Sequence, residues 1–364
     1  MGNRLKMTVI ILVVCITVKA NDGSYRSRGG VIYPINETKI SLEKEILSFN
    51  VINRVSQVNI YFEFFNPEQT ERKVLVGFQA PYPSGDNSRP LSSEKLISNF
   101  QVIKDGVILP YKIKYAKCED CELTDTLVFQ NMEDPFGYFV YLFEVVFKPG
   151  KNIINHSYDF PASINVTYDQ VYKYILKTGC KWATGSIKDF TMQIDMGKNS
   201  YFYVSDVFNN SAEWLIVGSG KVTNKSFDAF IYTSRMVRIL SGNLKINVKN
   251  FKPTENLEFG IISNNSFICN LLDKDRVSKG IYVPLGQMTT NLKYGPEISL
   301  TKDDLLILRN AFYAQYGYQF KNKDLSKYFS QFEWYIPDPN LTLDKIVLNE
   351  KEKKFIDEII EKSK

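Results

Sequence analysis

A single histidine, His156, occurs in this chain of 364 residues. A Ser-His-Asp or Cys-His arrangement needs an imidazole set between a nucleophile and an orienting acid, and zinc catalysis generally draws on two or three histidines. One histidine leaves little from which to build either. It falls in Asn155-His156-Ser157, on a strand expected to leave a turn at Gly150, where a structural or surface role is the simpler reading. The chain also has no Gly-X-Ser-X-Gly elbow, no phosphate-binding loop and no dinucleotide glycine fingerprint, so nothing points to the chemistries those motifs serve.

Long apolar runs are missing too. A spanning helix needs about 20 predominantly apolar residues; the run Met7 to Val18 is shorter and is interrupted by Thr8, Cys15 and Thr17. With Arg4 and Lys6 before it and Val18-Lys19-Ala20 after it, residues 1–20 have the layout of a secretory signal cleaved after Ala20. The rival is a lipoprotein in which Cys15 is acylated, but Val14 stands where a small residue is expected. Cleavage removes three cations and no acid, taking the formal charge from +5 to +2. A chain this close to neutral gives no electrostatic case for nucleic acid, and the mature protein is expected to be exported without a membrane span.

Cysteine is scarce. Five become four after cleavage: Cys118, Cys121, Cys180 and Cys269. An even number in an oxidising compartment is compatible with two disulfides, and four cysteines allow three pairings. Cys118-Glu119-Asp120-Cys121 is a poor redox pair, because the acids around it disfavour the thiolate. A metal site there would have only two sulfurs. The four are therefore disulfide candidates with the pairing open, and no metal or cofactor is expected.

Aromatics, by contrast, are abundant: 25 Phe, 22 Tyr and 3 Trp. They suit half-buried pleated surfaces. Val58, Ile60, Phe62 and Phe64 alternate with polar or exposed partners, as do Phe190, Met192, Ile194 and Met196, the period-2 pattern of strands. Asp105-Gly106 between two such runs predicts a hairpin. Further strands are expected at Tyr138–Phe147, Tyr201–Val207, Trp214–Val217, Phe227–Tyr232, Leu244–Val248 and Leu257–Ile262. Short strands with frequent turns predict a mainly β, sandwich-like ectodomain of one or two packed units. The expected parts are 21–165 and 166–250, followed by a connecting segment, 251–295.

From residue 296 the period changes. Thr301-Lys302-Asp303-Asp304 fits a helix start. Leu305, Leu308, Phe312 and Tyr316 follow at helical spacing, and Gly317 stands where a left-handed cap belongs. Two more helices are expected, over Lys323–Ser330 and Asn349–Lys362, the last burying Phe355, Ile356, Ile359 and Ile360. The stretch Leu308 to Phe320 resembles the signature of the YARHG domain, a small module of exported bacterial proteins. Its naming pentapeptide corresponds to Tyr313, Ala314, Gln315, Tyr316 and Gly317. Phe329 and Trp334-Tyr335 match a second aromatic cluster, and Leu348-Asn349-Glu350-Lys351-Glu352 with the closing helix matches the end, so that the resemblance covers 296–361 within a helical module of 296–364. Gln315 and Tyr316 replace the family's Arg and His, which favours a structural role for the motif. More faintly, Gly29-Gly30-Val31, Ile40 to Leu47, Tyr174 to Gly179 and Trp182 resemble a β-rich family of exported bacterial proteins. Neither resemblance implies an activity.

Carboxylates cluster at Glu119–Asp125, Glu133-Asp134 and Asp303-Asp304. Paired acids hydrolyse glycosides when held about 5–9.5 Å apart across a cleft, a distance no sequence fixes. The expected function is thus a non-catalytic envelope binding or scaffold protein whose module contacts cell-wall polymer or another protein. An envelope hydrolase using paired carboxylates is the alternative. The module's many aromatics are either its core or a stacking surface for sugars.

Overall fold

A twenty-residue strand organises the fold. The computed structural model describes residues 28–30, 33–35, 39–80, 97–117, 137–164, 170–208, 212–229, 232–261 and 301–362. In chain order the strands are β1 (Arg28–Gly30), β2 (Tyr33–Pro34), β3 (Ser41–Ile52), β4 (Val55–Asn66), β5 (Arg72–Gln79) and β6 (Ser98–Lys104). They continue with β7 (Val107–Ile108), β8 (Tyr111–Lys117), β9 (Gly137–Phe147), β10 (Gly150–Pro161), β11 (Ser163–Ile164) and β12 (Gln170–Ile175). The set closes with β13 (Ile187–Asp195), β14 (Ser200–Ser205), β15 (Leu215–Ala229), β16 (Tyr232–Phe251) and β17 (Leu257–Ile261). Helices α1 (Lys302–Gln315), α2 (Lys323–Phe329) and α3 (Glu350–Lys362) follow. The expectation of a mainly β fold with a helical C-terminal module holds. Among the described residues no helix is long and apolar enough to cross a membrane.

The early half of β16 pairs with β14 and its later half with β13, while β15 runs along most of its length. Two arms therefore leave one strand: β14-β17-β12-β1, and β13-β3-β4-β10-β6-β7. Strands from either side of residue 165 share this sheet, through the parallel pairing of β3 with β13. The inner faces of the arms meet where Phe49 packs on Tyr174 and Phe259 (ring centroids 5.3 and 5.0 Å). A second sheet, β2-β5-β9-β8, covers the far end of the same face through Phe78 on Tyr158 (4.8 Å) and Phe100 on Tyr141 (4.4 Å). One apolar core runs through all of it, and each such ring pair adds about 0.5–1.5 kcal/mol beyond its burial. The stretches that carry the fainter resemblance meet here: Gly29 of β1 pairs with Tyr174 of β12, and Trp182 seats on Phe64 and Phe147.

Local chemistry accounts for the turns. Asp105 and Gly106 both have positive φ, 51° and 80°, as a two-residue hairpin turn matched to strand twist requires. The strands expected separately at Trp214–Val217, Phe227–Tyr232 and Leu244–Val248 are instead parts of the two long strands β15 and β16. Gly218 and Gly220, which look like breakers in sequence, flank a register shift. Ser219 opposes Ser241 and Gly220 opposes Ile239, which leaves Leu240 as a bulge of the kind that bends a strand. Gly218 faces Gly242 across the ladder, both with positive φ (126° and 92°), and a Cβ on Gly242 would overlap the carbonyl oxygen of Val217. The bend lets β16 serve both arms.

Of the four cysteines, only Cys180 is described. It has no disulfide partner among the described residues. Its Sγ lies 3.7 Å from the carbonyl of Pro253, and burial raises its pKa. Cys118, Cys121 and Cys269 lie outside the described residues, as do residues 1–27 with their expected signal.

The bend yields a prediction. Gly242→Ala is expected to lower unfolding free energy at least three times as much as Gly106→Ala. The second position has open space around it and loses only the left-handed backbone preference, roughly 1 kcal/mol. Denaturant titration of both variants measures this; equal losses would remove the bend as a steric requirement.

Candidate functional site

His156 and Glu45 both lie inside the β core. His156 Nδ1 is 2.9 Å from the carbonyl of Gln101, a bond it makes as donor, so the proton sits there and Nε2 is bare. Burial pushes its pKa down to about 4, leaving a neutral ring packed on Phe78, Phe100 and Tyr158. That is a structural histidine. Glu45 stands in register between Phe62 and Phe190 with both oxygens buried and without hydrogen bonds among the described residues. Burial raises its pKa to about 8, so it is a neutral carboxylic acid at pH 7. Tyr174, across the core, feels burial first and Glu45 second, and both raise its pKa. Hydrolysis by paired acids needs a solvated cleft between them, which a sealed carboxyl does not offer. The clusters Glu119–Asp125 and Glu133-Asp134 lie outside the described residues. Asp303 sits exposed in the first turn of α1.

The more telling site is where the helical module meets the sheet. Arg238, in the early half of β16, is 1% exposed. Its Nε donates to the carbonyl of Trp334 (3.2 Å), and Nη1 donates to the carbonyls of Ser200 (3.0 Å) and Ile239 (3.3 Å). Nη2 donates to the Asn199 side-chain oxygen and to the carbonyl of Gln315. Gln315 is the last residue of α1. The final carbonyls of a helix have no partners within it and form the negative end of its dipole. A guanidinium with five fixed donors matches such a cluster of acceptors. Tyr201, the cross-strand partner of Arg238, packs against the module core beside it.

The family motif builds this helix end. The N–H of Gly317 donates to the carbonyl of Ala314 (3.0 Å) and that of Tyr318 to the carbonyl of Tyr313 (3.0 Å). With Gly317 at φ +91°, this is the paired-bond Schellman stop. A Cβ there would come within 2.8 Å of the Ile336 carbonyl oxygen and 3.3 Å of Leu240 on β16, so glycine is needed for closeness as well as for φ. Ala314 and Gln315 are buried; Tyr313 is half-buried against the module core. Tyr316, in the position of the family's His, donates its hydroxyl to Glu352 (2.8 Å). Burial and then that bond raise its pKa. Glu352 also accepts from the N–H of Asn349 while Asn349 accepts from that of Glu352, a reciprocal capping box at the start of α3. Two segments 36 residues apart thus close on each other.

The aromatic cluster likewise turns inward. Phe312, Phe320, Phe329, Trp334 and Tyr335 are buried, and the Tyr335 hydroxyl donates to the carbonyl of Tyr318 (2.8 Å). In α3, Ile356 and Ile359 are buried as expected, whereas Ile360 is 37% exposed, one helical step off the buried face. Sequence reasoning missed Arg238 altogether. Its one signal is a cation on a strand whose neighbours Val237 and Ile239 face the apolar core, and that pattern reads as an ordinary wet face. Among the described residues no group of three or more His, Cys, Asp or Glu is placed to hold a metal.

Residues 287–364 match the YARHG domain family, in agreement with the resemblance carried by 296–361. The fold of the chain is similar to a crystal structure from Legionella pneumophila, provisionally described as that of a nutrient binding protein. The two share 20% identity at a TM-score of 0.51, covering 94% of this chain and 100% of that one. At that identity the likeness speaks for the fold alone. No curated protein matches the chain.

Two predictions rest on these side chains. Tyr316→Phe should cost about 1–2 kcal/mol and speed hydrogen exchange in 350–362 without changing exchange in β3, β4 or β10; unchanged exchange in α3 would contradict its role. For Glu45 the folded pKa lies above the unfolded 4.5. The fold is therefore penalised progressively as pH rises from about 4.5 to about 8. Glu45→Gln removes that slope, so the Tm of the variant minus that of the wild type should grow between pH 5 and pH 8. A pH-independent difference would show that Glu45 is ionised or solvated.

Proposed function

We propose that this chain is an exported, non-catalytic binding protein of a bacterial envelope, with the helical module mounted on the β domain as a fixed platform. The observation that carries this is the direction of the family motif. Tyr313 to Gly317, Trp334 and Tyr335 are spent on the module's own core, on the α3 cap and on Arg238. They build a mount rather than a reactive centre, and the side chains that could stack on sugars are largely enclosed. Wall polymer or a partner protein would therefore be met by the module's outer surface together with the β domain. The signal-like residues 1–20 support export. The binding description of the Legionella protein agrees with this class of function and says nothing of the ligand here.

The test uses the mature full-length protein with purified sacculi and with envelope extracts. Retention on either, with no soluble sugar or peptide released, is expected. Release of fragments, abolished by neutralising acids in Glu119–Asp125 or Glu133-Asp134, would replace this reading with the hydrolase.

A further inference from the structure

We propose that the tip of the β6–β7 hairpin is a membrane-surface contact that seats Val107 and Ile108 in the headgroup region of an anionic bilayer. The inference is independent of the ligand and of the module. Val107-Ile108-Leu109-Pro110-Tyr111 is a run of five residues without a charge. In it, Val107 is 63% exposed, Ile108 59% and Tyr111 40%. Consecutive apolar exposure of this kind is unusual in a folded protein unless something covers it.

The geometry says what covers it. Successive side chains of a strand point to opposite faces, yet Val107 and Ile108 are both exposed. The tip therefore stands clear of the sandwich on both sides. A flat protein partner would cover one face, whereas a fluid interface surrounds both. The tip is also well held: Asp105 and Gly106 form the tight turn, Ile103 and Lys104 pair with Ile108 and Val107, and the N–H of Leu109 donates to the carbonyl of Val102 (2.8 Å). The Tyr111 ring rests on Phe100 (4.8 Å) and Tyr141 (5.4 Å), an aromatic placed between core and solvent as at membrane interfaces.

Charge favours an anionic surface. Within the described residues 98–117 there are four lysines, at 104, 112, 114 and 117, and one acid, Asp105; the acids from Glu119 onward lie outside the described residues. Asp105 is shared by Lys104 (2.7 Å) and Lys148 (3.7 Å), so two cations divide one anion. Lys112 and Lys114 are exposed on β8, directly after the apolar run. Lysines near an anionic leaflet add attraction that falls with salt, and apolar side chains add an insertion term. Lysines beside an edge strand also oppose edge-to-edge pairing with a second copy.

The test is co-sedimentation of the mature full-length protein with vesicles of phosphatidylglycerol and phosphatidylcholine in equal parts, and with pure phosphatidylcholine. Binding to the mixed vesicles that weakens with salt is expected, with little on the neutral ones. Val107→Ser with Ile108→Ser should lower the partition coefficient at least fivefold at unchanged Tm, and Lys112→Glu with Lys114→Glu should do the same on mixed vesicles. Three results would overturn the proposal. One is no binding of the wild type to mixed vesicles. Another is serine-variant binding equal to wild type. The last is a wild-type dimer that the serine variant converts to monomer, which would make the hairpin a contact between copies.

Discussion

Arg238 carries a full positive charge into a layer from which water is excluded. A buried charge is tolerable only when its donors are matched, and here the match comes from two parts of the fold at once. Ser200, Ile239 and Asn199 belong to the sheet and its turn, while Gln315 and Trp334 belong to the helical module. Each set supplies only part of these five bonds. Undocking the module would break the bonds of Arg238 to the carbonyls of Gln315, at the end of α1, and of Trp334. A buried polar group that loses its partner costs about 1–3 kcal/mol if kept from water. The module is thereby tied to the sheet by a requirement, and apolar contact around Tyr201 adds to it.

This arrangement depends on the bend of β16. The strand must turn its early half so that Arg238 faces the module, and still present Leu244, Ile246 and Val248 to the core. The facing glycines Gly218 and Gly242 allow it. The same bend splits the sheet into two arms whose inner faces close on Phe49, Tyr174 and Phe259. The position of the module and the shape of the core follow from one stretch of backbone.

Much of this was legible in the sequence, for stated reasons. Period-2 alternation placed Val58 to Phe64 and Phe190 to Met196 because one face is buried and the other wet. Asp105-Gly106 announced its turn because both positions need positive φ. Helical spacing and Gly317 placed α1 and its end. The joining of residues 215–229 and 232–251 into two long strands was not legible, because internal glycines mark a break and a bend alike. Nor was Arg238, since burial of a cation is decided by what covers it, and its cover comes from residues about 80 to 100 positions later. Gln315 and Tyr316 made the named charged pair look lost. In the fold, the Gln315 carbonyl and the Tyr316 hydroxyl each hold a structural partner, and the backbone atom is indifferent to side-chain identity.

Calorimetry of the full chain with Arg238→Met tests the mount most directly. Methionine keeps much of the side chain's bulk and removes every donor. If the guanidinium couples module and sheet, the wild type melts in one transition, and the variant melts in two with the module first. A variant that still melts in a single transition at the wild-type temperature would show that packing alone holds the module in place.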